Sequence, residues 1–191
     1  MTRPSAEIWS SVGRIVSTEQ RFSTSNTSPK RFELVSSGQE SRKCCCCTFL
    51  GKMSRSILPI TVENLPSDVL TGYSADGKHA PAWTLYGSAP GGGIHSTAED
   101  LVRYAQALLD GTAPGMVALT PRWDAGYGTR IGYAWNTTTV GGHTVTSHGG
   151  ATGGFCSAIA LDLANDRAVI ILSSTKAPVE QAAQTLLVGE H

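Results

Sequence analysis

The sequence has no apolar run long enough to cross a membrane: its longest strongly apolar stretch is Ala168-Val169-Ile170-Ile171-Leu172, against the ~20 residues a span requires. It also lacks charge. Charged residues make up 16% of the chain and hydrophobic ones 40%, with 21 Gly accounting for part of the shortfall. Lys and Arg total 15, as do Asp and Glu, so the net charge is zero, which excludes the basic footprint of a nonspecific nucleic-acid binder. The start, Met1-Thr2-Arg3-Pro4-Ser5-Ala6-Glu7, has no apolar core of the kind a secretory leader carries, so no export signal is expected and the chain as written reads as cytoplasmic.

The balanced charge conceals two unlike parts. Residues 1–56 hold 9 of the 15 basic and 4 of the 15 acidic residues, with 12 Ser and 3 Gly; residues 57–191 hold 6 basic, 11 acidic, 8 Ser and 18 Gly. This break places a boundary near residues 52–58, between a divergent N-terminal segment (1–56) and a C-terminal globular part (57–191). Between Ser17 and Lys43 the large apolar residues are sparse and follow no period of 2 or 3.6. That stretch is therefore expected to be disordered or peripheral, because it buries too little surface to offset its ordering entropy. Ile8, Trp9, Val12, Ile15 and Val16 allow a short helix over 6–16.

Cys44-Cys45-Cys46-Cys47 is an unusual run. Four adjacent thiols diverge in any regular backbone, whereas one tetrahedral zinc wants pairs spaced C-x2–4-C, so no metal ligand set is expected. Lipidation has no membrane-targeting context to support it. Cys156 falls in an apolar strand pattern and reads as a small buried hydrophobe.

From residue 57 the pattern is regular. Pro90-Gly91-Gly92-Gly93-Ile94 reads as a loop, and Ser96-Thr97-Ala98-Glu99 as a capping box in which Ser96 takes the Glu99 amide. The helix that follows runs to about Asp110, with Leu101, Val102, Ala105, Leu108 and Leu109 on one stripe and Gly111 as its stop. Residues 126–135 and 143–148 read as strands. Residues 155–161 and 168–173 are apolar strands around an Asn165-Asp166 turn, since both turn residues tolerate a left-handed backbone. A last helix over 178–188 carries Ala182, Ala183, Leu186 and Leu187 at helical spacing, with Pro178 in its first turn. Helix, strands, hairpin and helix in that order favour an α+β fold, an antiparallel sheet flanked by helices.

The densest candidate for chemistry is Ser147-His148-Gly149-Gly150-Ala151-Thr152-Gly153-Gly154-Phe155. Glycines clear the way for a ligand backbone, an edge strand can hold an extended peptide, and a neutral imidazole can donate a hydrogen bond or relay a proton. The same residues also suit a plain Gly-rich hairpin.

Four stretches in order carry a resemblance: residues 72–77 (GYSADG), 91–101 (GGGIHSTAEDL), 132–135 (GYAW) and 148–155 (HGGATGGF), preceded by Leu50-Gly51-Lys52-Met53. Together they resemble the C-terminal half of serine β-lactamase-related proteins, the group of class C β-lactamases, D-alanyl-D-alanine carboxypeptidases, D-aminopeptidases and related esterases. The resemblance covers roughly residues 50–190. It implies an incomplete β-lactamase/transpeptidase-like fold, acyl-enzyme hydrolysis of small amides or esters, and substrates such as a β-lactam, a D-Ala-D-Ala peptide or an ester. It implies no cofactor and no metal, leaves the oligomeric state open, and brings in relatives that are often exported. His148-Gly149-Gly150 is similar to the family's third motif. His148 would then bind the substrate carboxylate or carbonyl and assist proton movement, Gly149 and Gly150 would line the groove, and the Ala151 amide would be one of two oxyanion-hole donors.

Two family motifs are not found upstream. The nucleophile motif is Ser-x-x-Lys at a helix start, where one turn brings the amine to the hydroxyl; the second is Tyr-x-Asn. Thr27-Ser28-Pro29-Lys30 has the wrong first residue and a proline, and Tyr73-Ser74-Ala75 lacks the asparagine. Ser173-Ser174-Thr175-Lys176 matches in letters but follows the third motif at a strand end. With 20 Ser and 5 Lys in 191 residues, about half a match arises by chance. The chain is thus expected to be a family hydrolase lacking its nucleophile. The alternatives are a noncatalytic binding module that keeps the groove strand, or an incomplete domain with exposed apolar surface.

Overall fold

The computed structural model describes residues 15–22, 30–37, 44–45, 56–59 and 61–189. Its centre is an eight-stranded sheet. The strands are β1 (Ile15–Phe22), β2 (Lys30–Ser37), β7 (Trp123–Gly126), β8 (Thr129–Ile131), β9 (Asn136–Val140), β10 (His143–Thr152), β11 (Phe155–Asp162) and β12 (Arg167–Ser173). They lie in the order β1-β2-β12-β11-β10-β9-β8-β7. All neighbours are antiparallel except β2 and β12, which run parallel with Arg31 beside Arg167. Three two-residue pieces, β3 (Cys44–Cys45), β4 (Gly72–Tyr73) and β5 (His79–Ala80), and a fourth, β6 (His95–Ser96), form two small side ladders, β3 with β6 and β4 with β5.

One helix covers each face of the large sheet. Helix α1 (Ala98–Leu109) sets Leu101, Tyr104, Ala105 and Leu108 against Phe155, Ile159, Leu161, Ala168, Ile170 and Leu172. Helix α2 (Val179–Val188) sets Val179, Ala182, Ala183, Leu186 and Leu187 against Val145, Cys156, Ala158, Ala160, Val169 and Ile171. Strands β11 and β12 are covered on both faces, so they read as continuous apolar runs. Each large aliphatic side chain buried here contributes roughly 1.5–3 kcal/mol, and this three-layer burial holds the centre together.

Most local signals act where expected. Gly111 ends α1 at φ 67° and Gly189 ends α2 at φ 74°, the left-handed position that glycine takes without steric cost. Pro178 is the N-cap of α2, one residue earlier than expected. Asp166 turns the β11–β12 hairpin at φ 52°, and Asp162 Oδ1 accepts the Asn165 amide at 3.2 Å.

Several expectations are corrected. The cap of α1 is Thr97, whose hydroxyl accepts the Asp100 amide at 3.2 Å. Ser96 is unavailable because it still belongs to β6 and is buried, with its hydroxyl 2.8 Å from Ser56 Oγ. The Asp100 carboxylate is also fully buried, accepting from Ser56 at 3.0 Å and from Arg103 at 2.7 Å. Residues 126–135 are not one strand: Tyr127 (φ 51°) and Gly128 (φ 74°) turn the chain between β7 and β8, and Ala134 (φ 64°) kinks it again before β9. Strand β9 itself was not anticipated, since Asn136-Thr137-Thr138-Thr139 offers no apolar alternation. In the N-terminal segment β1 pairs with β2 from Ile15↔Ser37 to Phe22↔Lys30. Ile15 and Val16 are in β1 rather than in a helix. The remainder of the expected 6–16 helix, and Cys46 and Cys47, lie outside the described residues.

Candidate functional site

Strand β10 carries the glycine-rich motif, and its register fixes where each group points. Gly141 (φ 55°) and Gly142 (φ 83°) form a two-residue turn with both residues left-handed, and Val140 faces His143 across it. In such a turn the flanking pair exchanges both backbone hydrogen bonds. The alternation then aims the N–H and C=O groups of residues 143, 145, 147, 149 and 151 toward β9, and those of the even-numbered residues toward β11. The β9 pairing stops at Ser147↔Asn136, while the β11 pairing continues to Thr152↔Phe155. From Gly149 onward that edge of β10 is open among the described residues, and the backbone groups of Gly149 and Ala151 face outward from it.

Side chains alternate across the two faces. His148 lies on the α1 face, half-buried, opposite Ile159. Its ring packs edge-on to Trp135 with centroids 6.0 Å apart, and it lines a cavity of about 170 Å³ with Tyr104, Tyr133 and Trp135. Gly149 and Ala151 lie on the α2 face, opposite Ala158 and Cys156. There a larger cleft of about 580 Å³ is lined by Gly150, Ala151, Cys156, Lys176, Val179 and Glu180 among others. Of the four motif residues, Gly149 and Ala151 present backbone groups at the open edge and lie on the α2 face, while His148 and Gly150, opposite Ile159 and Ser157, lie on the α1 face.

A side chain on Gly149 would overlap the Glu180 side chain, which lies across the strand at that point. Gly153 and Gly154 are needed for a different reason. Strand β4 packs directly on the β10–β11 turn, so a Cβ on Gly154 would meet the Gly72 and Tyr73 backbone, and Tyr73 N–H donates to Gly154 O at 3.2 Å.

Ser173 is sequestered. It is 2% exposed; its hydroxyl donates to Thr175 O at 2.8 Å and accepts the Thr175 amide at 3.1 Å. Thr27, Ser28 and Pro29 lie outside the described residues. Cys156 is buried as expected, and its sulfur accepts the Ala177 amide at 3.3 Å. His95 is buried in β6 and exchanges backbone hydrogen bonds with Ile57. His143 sits at the far end of β10, with Nδ1 2.8 Å from Asp162 Oδ2. Burial pushes the Asp162 carboxyl up, but the Asn165 side chain, His143 and the Asn165 amide outweigh this and hold it below its ordinary value. Among the described residues no group of His, Cys, Asp and Glu is arranged to hold a metal ion, and no helix is long and apolar enough to cross a membrane.

Glu180 gave no sequence signal, and Lys176 stood out only as the last residue of the Ser173–Lys176 match. They follow the motif by more than two dozen residues, and only the return of the chain from β12 into α2 brings them beside Ala151.

The fold has known counterparts. A D-alanine carboxypeptidase from Burkholderia cenocepacia matches at 21% identity and a TM-score of 0.60, covering 72% of this chain and 50% of that one. A class C β-lactamase matches at 16% identity and a TM-score of 0.60, covering 73% and 48%. An octameric penicillin-binding protein homologue from Pyrococcus abyssi matches at 20% identity and a TM-score of 0.60, covering 73% and 35%. The chain spans about half of the first two structures and a third of the last. No curated protein matches it. The family model named Beta-lactamase matches residues 61–190, well over half of the sequence, and the chain belongs to the β-lactamase family, with the fold of its serine hydrolases.

Proposed function

We propose that this chain supplies the groove side of an acyl-transfer site for small amides or esters, of the β-lactam, D-Ala-D-Ala peptide or simple ester kind, and does not itself carry the acylated serine. His148 binds the substrate carboxylate or carbonyl and moves protons, Gly149 and Gly150 give the substrate backbone room, and the Ala151 amide is an oxyanion donor. The observation that carries this reading is the open edge of β10, where the backbone groups of Gly149 and Ala151 are left by the end of β9 at Asn136. A donor at the site of developing charge is worth about 10²–10³ in rate.

The missing nucleophile is supported by Ser173. The one Ser-x-x-Lys in the sequence begins with a hydroxyl already donating to Thr175 O. The buried strand end also gives it no helical turn to bring Lys176 within reach. The expected behaviour is binding without turnover.

Incubation with a chromogenic β-lactam and a short-chain p-nitrophenyl ester should give no hydrolysis, and a D-Ala-D-Ala peptide should bind saturably. His148→Ala should weaken that binding more than His95→Ala or His143→Ala. Stoichiometric acylation by a labelled penicillin or fluorophosphonate, mapped to one serine, would overturn the proposal; so would an unchanged affinity in His148→Ala.

A further inference from the structure

The cleft on the α2 face has a floor and two charged rims. Ala151, Cys156, Ala177 and Val179 make the floor apolar, and Lys176 and Glu180 stand at the opening. Both charged residues are exposed. Among the described residues neither side chain makes a hydrogen bond or an ion pair. Lys176 is anchored through its backbone, its N–H donating to Tyr73 O at 3.0 Å. Glu180 is positioned by Gly149, whose missing side chain leaves the carboxylate lying over β10 next to Ala151.

Two opposite charges that do not pair with each other, set around an apolar floor, form a dipolar site. Such charges gain little from each other in water. A ligand that covers the cleft and brings both complementary charges forms two charge-assisted hydrogen bonds in a less polar setting, and these are the stronger kind. A neutral or singly charged ligand satisfies at most one.

We propose that Lys176 and Glu180 recognise the two ends of a small zwitterion, a free amino acid or dipeptide. Glu180 takes the ammonium, Lys176 takes the carboxylate, and an aliphatic side chain rests on the Ala151–Cys156–Val179 floor. This deepens the reading of the Ala151 edge as a substrate groove and rests on it for location: it selects ligands with a free amino terminus over N-acylated ones.

Isothermal titration of the full chain with D-alanyl-D-alanine, its N-acetyl derivative and its C-terminal amide tests the assignment. The unblocked dipeptide should bind about tenfold more tightly than either blocked form, as expected for loss of one charged hydrogen bond. Glu180→Gln should erase the penalty for N-acetylation and keep that for amidation. Lys176→Met should do the reverse. Both positions are at the surface, and far-UV circular dichroism confirms that the variants are folded. Equal binding of all three ligands by the parent chain, or discrimination unchanged in both variants, would overturn the zwitterion site alone, whereas no binding of any would overturn the proposed function with it. The proposed function is judged separately, by the effect of His148→Ala on peptide binding and by the acylation assay.

Discussion

His143 Nδ1 lies 2.8 Å from Asp162 Oδ2, tying the first residue of β10 to the last residue of β11 at the end of the sheet away from Ala151. The carboxylate can only accept, so Nδ1 carries the proton. Asn165 completes the cluster, its side-chain amide donating to Asp162 Oδ2 at 2.7 Å.

This cluster sets an acid limit on stability. Burial raises the Asp162 carboxyl, and the hydrogen bonds from Asn165 and His143 bring it below its ordinary value. A depressed folded-state value stabilises the fold above the unfolded value of about 3.9 and ceases to do so as pH falls through the folded value. The melting temperature should therefore fall as pH drops below roughly 4. Asp162→Asn should flatten that dependence and cost about 2 kcal/mol at neutral pH. Equal acid sensitivity in parent and variant would count against it.

The N-cap assignment is tested by two substitutions. Thr97→Ala removes the acceptor for the Asp100 amide and should cost about 1 kcal/mol in urea unfolding. Glu99→Ala, which removes the acceptor that a Ser96–Glu99 box needs, should cost less than about 0.5 kcal/mol, since that reciprocal bond is not formed. The reverse ranking would restore that box.

Gly154→Ala should be among the most destabilising single changes. It adds a Cβ at φ 78°, where L side chains are strained, and within 2.5 Å of the Gly72 carbonyl carbon, a backbone atom that has no rotamer with which to move aside. A loss above about 2 kcal/mol is expected. Gly77→Ala has φ 79° but nothing within 4 Å, so it should cost about 1 kcal/mol. Equal losses at the two positions would show that close approach of β4 adds nothing.

Ser173→Ala should leave fluorophosphonate labelling unchanged, at background, while lowering stability by about 1 kcal/mol through loss of the two bonds to Thr175. Labelling that disappears in this variant would make Ser173 the nucleophile after all.

Where structure follows from neighbours in the chain, it could be read in advance. The stripe of Leu101, Ala105 and Leu108, the Gly111 stop, the Asn165-Asp166 turn and the Ala182–Leu187 spacing all behave as local rules require. The cap shifted by one residue because Ser96, though a good capping residue, was already claimed by β6 and Ser56. The Tyr127-Gly128 turn was hidden because tyrosine seldom adopts a left-handed backbone. Strand β9 was hidden because threonines on a half-buried strand produce no hydrophobic rhythm.

The candidate site divides the same way. The residues from His148 to Ala151 stand out by composition alone, and their conformational freedom is a property of glycine itself. Which backbone groups they expose depends on β9 ending at Asn136 while β11 continues. The parity of the strand then sends the imidazole toward α1 and the glycine–alanine surface toward Glu180. Those outcomes come from strand pairing and packing between distant segments, and no short-range preference in the sequence encodes them.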